Sequence, residues 1–416
     1  VEYAAVSPRG LLFITLFNSI LGLSVLFPIL APLGRWLGFT ELQVGLLSTS
    51  YALMQFVMSP YWGRRSERAG RKPVLLTGIL GFALSFFAFA AIAHLGKQGV
   101  FDHWTTFSLL LASRVAGGAF SSATLPTAQA YIADTTGRAD RTAGMALIGA
   151  AFGLGVVIGP AIGAALSTVS LLAPVYFSAG FALLNALFVW LKLPEPVKHV
   201  AAPEDEHPTS LLIRMWPVLA LGLVISLSSV AMEQTVAFYF QDRLRLTEHQ
   251  TARTVGLSLV FYGVVAVFVQ GFLVRRYKWP PHVLLAAGVP IALCGFVGLI
   301  FAHTFIPLTI ALAVQGLGQG LALPGVTAAA SLTVGEHEQG AAAGLSHSAH
   351  GLGRVLGPVV GTGLYSLRGD LPYYASAGLL LIALGALYAS PRVRRAVTHH
   401  ADAEPVQTDS STNAIP

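Results

Sequence analysis

Long apolar runs separated by short polar connections make up most of the chain. About twelve of these runs reach the length of roughly 20 predominantly apolar residues that a helix needs to cross a bilayer. The predicted spans are residues 9–33, 43–62, 74–95, 104–131, 142–166, 172–193, 213–241, 251–273, 282–303, 307–333, 340–366 and 371–391. This pattern predicts an all-α integral membrane protein with twelve transmembrane helices.

The composition supports a membrane protein. Of the 416 residues, 54% are hydrophobic and 11% are charged, whereas a soluble domain averages about 25% charged residues. The 43 glycines and 23 prolines are tolerated in membrane helices, where neighbouring helices satisfy freed backbone groups and small residues permit close packing. Because Cys294 is the only cysteine, an intrachain disulfide and a cysteine metal cluster are excluded. We expect no cofactor and no metal site.

One long polar segment divides the predicted spans into six and six. Residues 194–212 are interrupted by prolines and acidic residues, which is typical of a connector. We therefore predict an N-terminal six-helix bundle over residues 1–193, a cytoplasmic linker over 194–212 and a C-terminal six-helix bundle over 213–391. From Thr398 onwards the chain has almost no large apolar side chains, and residues 392–416 are predicted to form a disordered cytoplasmic tail.

The basic residues are distributed unevenly between the two sides of the predicted membrane. If both termini share one side, that side has 17 of the 25 lysines and arginines and the other side has six. Short loops rich in lysine and arginine stay in the cytoplasm. The sequence therefore predicts a multi-pass protein of the plasma (inner) membrane with both termini cytoplasmic. The net charge of +6 suits the anionic cytoplasmic leaflet, so we expect no nucleic-acid partner.

The two halves of the chain resemble one another. The pattern Gly-x-x-x-Gly-Pro-x-x-Gly occurs at residues 155–163 and again at residues 353–361. Residues 114–117 likewise correspond to residues 315–318. Correspondences in the same order indicate duplicated six-helix halves. Many secondary transporters have this architecture, with a substrate site at mid-membrane between the repeats.

A basic loop lies between the second and third predicted spans. The segment Gly63–Leu76, with the sequence GRRSERAGRKPVLL, resembles the loop between helices 2 and 3 of the major facilitator superfamily (MFS), with Glu67 where that family usually has Asp. A plain positive-inside anchor would explain the basic residues but not the glycines or the embedded acid. The resemblance implies a conformational gate formed by Gly63, Glu67, Arg68, Gly70 and Arg71.

The fifth predicted span has glycines at intervals of four residues, which places them on one helix face. This face permits close packing, and Pro160 removes a backbone donor. The segment resembles the antiporter motif of MFS exporters, which implies export. The motif residues are Gly155, Gly159, Pro160 and Gly163. We expect their face to form a tight contact with the opposite half of the protein.

Two charged side chains lie deep in predicted spans of opposite halves. Arg114 resembles the fourth-helix MFS motif Arg-x-x-x-Gly, which implies a part in proton transfer; the alternative is a structural arginine bound to backbone carbonyls. Glu233 is the clearest acid inside a predicted span. Intramembrane acids are expensive and often functional, although an ion pair between helices is the alternative. Arg354 is its candidate partner.

Further polar residues are predicted to line the transport path. His347, His350 and Arg354 have helical spacing on one face of span 11, and His350 is a candidate proton relay. A simply hydrogen-bonded histidine is the alternative. The predicted proton-coupling residues are Glu233, Arg354, Arg114 and His350. The predicted cavity residues are Asn18, Tyr51, Gln55, Gln129, Gln234, Gln315 and His347.

The resemblance covers about residues 9–391 and implies two pseudo-symmetric six-helix bundles of the MFS fold, most similar to the twelve-helix drug:proton antiporter branch. We expect a monomeric proton-coupled exporter of amphipathic small molecules, not an enzyme. The absence of a phosphate-binding Gly-x-x-x-x-Gly-Lys-Ser/Thr pattern argues against ATP as the energy source. The alternatives are an MFS exporter of a metabolite or siderophore, an MFS importer, or, less in keeping with the sequence, a channel or polytopic membrane enzyme.

Overall fold

The computed structural model describes residues 8–135, 141–196, 208–335 and 338–389, together with Val393 and Val397. Within these residues the chain forms fifteen α-helices and one π-helical segment, and no strand. The helices are α1 Pro8–Ser24, α2 Leu30–Trp36, α3 Glu41–Ala69, α4 Arg71–Lys97, α5 His103–Ser121, α6 Thr124–Thr135, α7 Arg141–Leu166, α8 Ala173–Lys192, α9 Pro208–Leu244, α10 Glu248–Phe268, α11 Arg275–Tyr277, α12 Pro281–Phe301, α13 Phe305–Leu332, α14 Gln339–Leu367 and α15 Leu371–Ala389. The π-helical segment Val269–Val274 joins α10 to α11.

Each predicted span coincides with a helix or with consecutive helices. Among the described residues, eight helices are long and apolar enough to cross a membrane. They are Arg71–Lys97, Ile148–Leu166, Ala173–Lys192, Leu211–Leu244, Glu248–Tyr277, Pro281–Phe301, Phe305–Leu332 and Leu371–Ala389. The other four predicted spans are either interrupted, as between α1 and α2 beside Pro28 and between α5 and α6, or more polar, as in α3 and α14. The count of twelve spans stays a prediction for these four.

The same capping arrangement begins α3 and α10. Thr40 accepts a hydrogen bond from the backbone N–H of Gln43, whose side chain accepts one from the backbone of Thr40. Thr247 and Gln250 repeat this arrangement at α10. Each box satisfies two backbone donors that the first helical turn leaves free. The two helices therefore start in the same way at equivalent positions of the duplicated sequence.

The helices pack in two groups that follow chain order. In the first group, α1 packs on α7 and α8, and α4 packs on α5 and α8. In the second group, α9 packs on α14, and α12 packs on α13 and α15. The main contacts between the groups join α3 to α14 and α7 to α10. We call α1–α8 the first group and α9–α15 the second group.

The predicted linker and tail lie largely outside the described residues. Residues 194–196 are described and are not helical, residues 197–207 are not described, and α9 already begins at Pro208. The predicted tail 392–416 is described only at Val393 and Val397, which are helical and buried.

The two contacts between the groups are built alike. A Cβ added at Gly45 of α3 would lie 2.9 Å from the carbonyl oxygen of Pro358 in α14. A Cβ added at Gly256 of α10 would lie 2.8 Å from the carbonyl oxygen of Pro160 in α7. In both cases the glycine lets one helix approach the proline-containing helix of the other group. The contacts are therefore related by the same pseudo-symmetry as the sequence repeat.

The groups meet at one end of the molecule and diverge towards the other. We call the end with the α3–α4 connection the basic end, and the end with the α2–α3 connection the far end. The contacts between the groups begin at the far end. The last of them towards the basic end are those of Phe56 with Gly351 and of Val267 with Gly153. One or two helical turns further towards the basic end, on the same faces, a Cβ added at Gly149, Gly271 or Gly344 would have no atom of the described residues within 4 Å. The space between the groups therefore widens towards the basic end.

Candidate functional site

A cavity lies between the two groups, among α1, α2, α3 and α5 on one side and α9 and α14 on the other. Its empty volume is about 660 Å³, which includes space open to solvent. The polar residues that line it are Ser48, Tyr51, Gln55, Arg114, Glu233, Gln234 and Arg354. The apolar part of its wall includes Leu23, Leu26, Phe27 and Leu30. The site therefore combines a lipophilic wall with three charged side chains.

The three charged residues of the cavity lie at similar depth. Arg114 is eleven residues from the start of α5, and Glu233 is eleven residues from the end of α9. Arg354 is thirteen residues from the end of α14. At 1.5 Å per residue, all three are about 15–20 Å from the far end. The similar depth allows one ligand to contact groups from both halves of the protein.

Arg114 is held among aromatic rings rather than beside a carboxylate. It is 5% exposed, and its guanidinium carbon lies 4.3 Å from the ring centre of Tyr51 and 5.5 Å from that of Phe86. Its Nε donates to the backbone oxygen of Leu47 at 3.4 Å. No acidic residue of the described chain forms an ion pair with it. This geometry fits the structural alternative of a carbonyl-bound arginine, and the side chain also lines the cavity.

Glu233 and Arg354 share the cavity without touching each other. The half-buried Glu233 and the exposed Arg354 interact electrostatically, but their side chains form no ion pair within 4.0 Å. Among the described residues, neither side chain has a hydrogen-bond partner. The predicted direct partnership is therefore absent in this conformation, and the cavity separates the two charges. Both groups are available to a ligand.

Three of the predicted polar cavity residues line the cavity, namely Tyr51, Gln55 and Gln234. The hydroxyl of Ser48 donates to Oε1 of Gln234 at 2.7 Å, which joins the two groups at the cavity. Sequence reasoning missed Ser48, although Ser48, Tyr51 and Gln55 have the i, i+3, i+7 spacing of one helix face.

The other four predicted cavity residues do not line the cavity. Gln315 is buried within the second group, where its amide donates to Ser229 at 3.3 Å. Asn18 is buried in α1, and Gln129 is half-buried in α6. His347 is exposed and lies two helical turns from Arg354 towards the basic end. Polar residues occur both inside each helix group and at the cavity. The polarity of a residue therefore does not tell whether it lines the cavity.

The predicted proton relay His350 is also outside the cavity lining. Its Nδ1 is hydrogen-bonded to the carbonyl of Ser346 at 2.7 Å, and its backbone oxygen accepts from Ser226 of α9 at 3.0 Å. An added Cβ at Gly222 of α9 would lie 3.2 Å from the His350 ring. His350 therefore packs against α9, as in the alternative of a simply hydrogen-bonded histidine. His347, His350 and Arg354 have helical spacing on one face of α14, but only Arg354 lines the cavity.

The basic loop binds Asp134 and Glu195, and not the predicted acid Glu67. Glu67 is exposed and forms no hydrogen bond or ion pair with any described residue. Arg71 instead pairs with Asp134 of α6 at 2.9 Å and donates to Ser66 at 2.6 Å. Glu195 accepts hydrogen bonds from the backbone N–H groups of Arg71 and Lys72, at 2.5 and 2.9 Å. Sequence reasoning missed Glu195 because it comes from the start of the predicted linker.

The other predicted gate residues, Gly63, Arg68 and Gly70, lie in or beside the connection between α3 and α4. Gly70 has a φ of +99°, which favours glycine, and an added Cβ would lie 2.8 Å from Oε1 of Glu195. Gly63 lies near Pro126, 4.0 Å from its added Cβ, and Arg68 is exposed. Gly70 thus permits the turn between α3 and α4 and the approach of Glu195.

The glycine face of α7 packs within its own group, contrary to prediction. Added Cβ atoms at Gly155, Gly159 and Gly163 would contact α1 and the residues that follow it, the shortest distance being 1.9 Å from Gly159 to Ser24 Oγ. The Ser24 hydroxyl also donates to the carbonyl of Gly155 at 2.7 Å. Pro160 faces the second group instead, through its carbonyl beside Gly256. The glycines of this motif therefore contact α1 and the residues that follow it, whereas Pro160 contacts α10.

At the far end, an ion pair joins the two groups. Arg35 of α2 binds Asp242 of α9 through Nη1–Oδ1 and Nη2–Oδ2 contacts of 2.5 and 2.9 Å. Arg35 also pairs with Glu41 at 3.0 Å. Arg35 is one of the six basic residues that the sequence places on the side opposite the termini, and no partner was predicted for it. The partners are separated by 207 positions, so local spacing gave no signal of this pair.

Comparison with known proteins agrees with this architecture. The chain matches the family model described as Major Facilitator Superfamily over residues 12–307 and 281–411. It is 27% identical over 381 residues to Multidrug resistance protein 1 of Bacillus subtilis (strain 168), covering 90% of this chain and 94% of that protein. It is 29% identical over 393 residues to the Tetracycline resistance protein, class C, of Escherichia coli, covering 88% and 92%.

The fold is similar to that of a solved transporter structure. A point mutant of the nucleoside transporter NupG superposes with a TM-score of 0.74 at 14% sequence identity, covering 91% of this chain and 98% of that one. The likeness concerns the fold alone. Together with the family match over nearly the whole chain, it means that this multi-pass membrane protein belongs to the Major Facilitator Superfamily.

Proposed function

We propose that this chain is a proton-coupled exporter of amphipathic small molecules in the plasma (inner) membrane, with its basic end in the cytoplasm. The observation that carries the proposal is the cavity between the two groups, where Glu233 lies with Arg114 and Arg354 beside a lipophilic wall. The relatives are named for multidrug and tetracycline resistance, which supports export of such compounds. The excess of basic residues at the basic end supports the orientation.

Alternating access requires the two groups to rock around the cavity. In the present conformation, the far-end pair Arg35–Asp242 and the contacts of Gly45 and Gly256 close the far side. The divergence beyond Phe56 leaves the cytoplasmic side open. This state would admit a substrate from the cytoplasm. Export then requires the far-end contacts to separate and the basic loop to approach the second group.

Glu233 is the group that we assign to proton coupling. Among the described residues, it is the only acid that lines the cavity, and no basic group holds it in a direct ion pair. In the state open to the exterior it would take a proton. In the state open to the cytoplasm it would release that proton as substrate enters. Arg354 would favour the release, because a nearby cation stabilises the ionised carboxylate.

Transport into everted membrane vesicles tests the proposal. The vesicle interior corresponds to the cell exterior, so acidifying it should drive a lipophilic dye into the vesicle. Collapsing the pH gradient with a proton ionophore should stop this accumulation. Glu233→Gln should abolish the gradient-driven accumulation and retain part of the downhill exchange, whereas Glu248→Gln, outside the cavity, should behave like the unaltered protein. Accumulation that is independent of the gradient would reject proton coupling, and gradient-driven dye loss from the vesicles would reject export.

A further inference from the structure

We propose that the cavity preferentially binds amphipathic zwitterions, molecules with a lipophilic body, one cationic group and one carboxylate, over lipophilic monocations. The inference rests on the proposed function only in taking this cavity as the substrate site. It concerns the binding step and does not depend on how transport is driven.

The charges of the cavity do not balance. Among the described residues, its lining contains two guanidinium groups, Arg114 and Arg354, and one carboxylate, Glu233. The site has a net charge of about +1 when Glu233 is ionised and about +2 when it is protonated, because arginine stays charged in proteins. A monocation that pairs with Glu233 leaves both guanidiniums uncompensated. An additional anionic group on the ligand offsets part of that excess charge.

Arg354 is the guanidinium that a ligand can reach. Its side chain is exposed on the cavity wall and pairs with no described residue. Its backbone is fixed, since added Cβ atoms at Gly353 and Gly357 would lie 2.6 and 2.7 Å from side-chain atoms of α9. A planar guanidinium on a fixed helix presents the two parallel N–H donors that match a carboxylate. Arg354 is therefore assigned to the carboxylate of the ligand.

Arg114 has a different part in this arrangement. The rings of Tyr51, Phe86 and Phe89 surround its guanidinium, which lies 4.3, 5.5 and 5.7 Å from their centres. Its hydrogen bond to Leu47 holds it in that position. Because the residue is only 5% exposed, its main contribution to the cavity is positive potential. Glu233 receives the cationic group, and the wall formed by Leu23, Leu26 and Phe27 receives the lipophilic body.

A matched pair of dyes tests the preference. A rhodamine with a free carboxylate is a zwitterion, and its methyl ester is a monocation with the same aromatic body. Equilibrium binding of both is measured by fluorescence polarisation on the full-length protein in detergent, without a pH gradient. A charge-assisted hydrogen bond to the carboxylate contributes roughly a tenfold increase in affinity. We expect the unaltered protein to bind the zwitterion roughly tenfold more tightly than the ester.

Substitutions should move this preference in opposite directions. Arg354→Gln should bring the ratio of the two affinities close to one, whereas Arg354→Lys, which keeps the charge, should retain most of the preference. Glu233→Gln should weaken binding of the ester more than binding of the zwitterion. It should therefore increase the ratio of the affinity for the zwitterion to the affinity for the ester. If a substitution only disturbed the structure, it would weaken binding of both dyes to the same extent. Folding of each variant is checked by its elution in size-exclusion chromatography.

The outcomes separate this inference from the proposed function. Equal or tighter binding of the ester by the unaltered protein would overturn the inference, as would an unchanged ratio in Arg354→Gln or binding of neither dye. Each of these results leaves proton-driven export of other compounds intact. Conversely, a retained preference with no gradient-driven transport supports the inference and rejects the proposed function.

Discussion

Arg35 and Asp242 join the two helix groups by two hydrogen bonds, of 2.5 and 2.9 Å, between a guanidinium and a carboxylate. The Tyr365 hydroxyl donates to the same carboxylate at 2.6 Å, and the Arg35 guanidinium lies 5.0 Å from the ring centre of Phe238. Isolated surface ion pairs contribute little, but bidentate geometry and a network increase their contribution. Residues of α2, α9 and α14 therefore close the far end together.

Asp242→Asn should open the far end more often. It removes the ionic part of the contact and keeps a side chain of similar size. A loss of about 1 kcal/mol should shift the equilibrium between closed and open far ends roughly fivefold. Replacing Cys294, the single cysteine, gives a background for labelling. Spin labels at the exposed positions Trp104 and Leu367, one in each group, then report the far-end separation.

Asp370→Asn is the matched control for this experiment. Asp370 also pairs with an arginine, Arg368, but both belong to the second group. Its substitution should leave the distance distribution between the labels unchanged. If Asp242→Asn gives the same distribution as Asp370→Asn, the Arg35–Asp242 pair does not determine closure.

Gly159→Leu should destabilise the first group. A Cβ at Gly159 would lie 1.9 Å from Ser24 Oγ and 3.0 Å from the backbone nitrogen of Val25, so α1 and α7 would have to separate. Overpacking of a close contact costs about 1–3 kcal/mol, which should lower the unfolding midpoint in detergent. Gly149→Leu is the control on the same helix, because an added Cβ there would have no atom of the described residues within 4 Å. Equal midpoints for the two variants would contradict the packing of α7 on α1.

Glu195→Ala should destabilise the junction between α3 and α4. The Glu195 carboxylate accepts from two backbone N–H groups at the start of α4, which have no partner within the helix. Loss of a comparable helix cap costs about 1 kcal/mol. Hydrogen exchange should therefore become faster at the first turn of α4, while exchange at α12 stays unchanged. Unaltered exchange at α4 would show that the cap contributes nothing to this junction.

Glu67→Gln should lower the transport rate without lowering stability. The Glu67 side chain is exposed here and contacts no described partner, so its removal costs nothing in this conformation. We predict that it pairs with basic groups or helix N-termini only when the basic end closes. Turnover in vesicles should fall while the unfolding midpoint is retained. Unchanged turnover would remove Glu67 from the gate.

The fold was largely predictable because membrane spans leave a strong mark on hydropathy. The spans, the repeat and the basic loop all follow from residue type and local spacing. The interruption after α1 was missed, although Pro28 lies in it, because hydropathy continues across the break. The twelve-span count and the side of the termini rest on the sequence pattern.

The cavity was predictable only in part. Tyr51, Gln55, Gln234 and the three charged residues line it, because polar groups in apolar helices must face a partner or water. Gln315 satisfies the same rule by binding Ser229 inside its own group. One sequence cannot separate these two solutions. Contacts between distant segments, such as Arg35 with Asp242, require the three-dimensional structure.

Proton release on substrate addition tests the central claim most directly. Detergent-solubilised protein in weakly buffered solution is mixed with a transported dye, and the released protons are followed with a pH indicator, beside Glu233→Gln and the control Glu248→Gln. Because substrate and proton are proposed to compete at Glu233, the unaltered protein and Glu248→Gln should release protons and Glu233→Gln should release few or none. Equal release from Glu233→Gln and the unaltered protein would contradict the assignment of the coupling proton to Glu233.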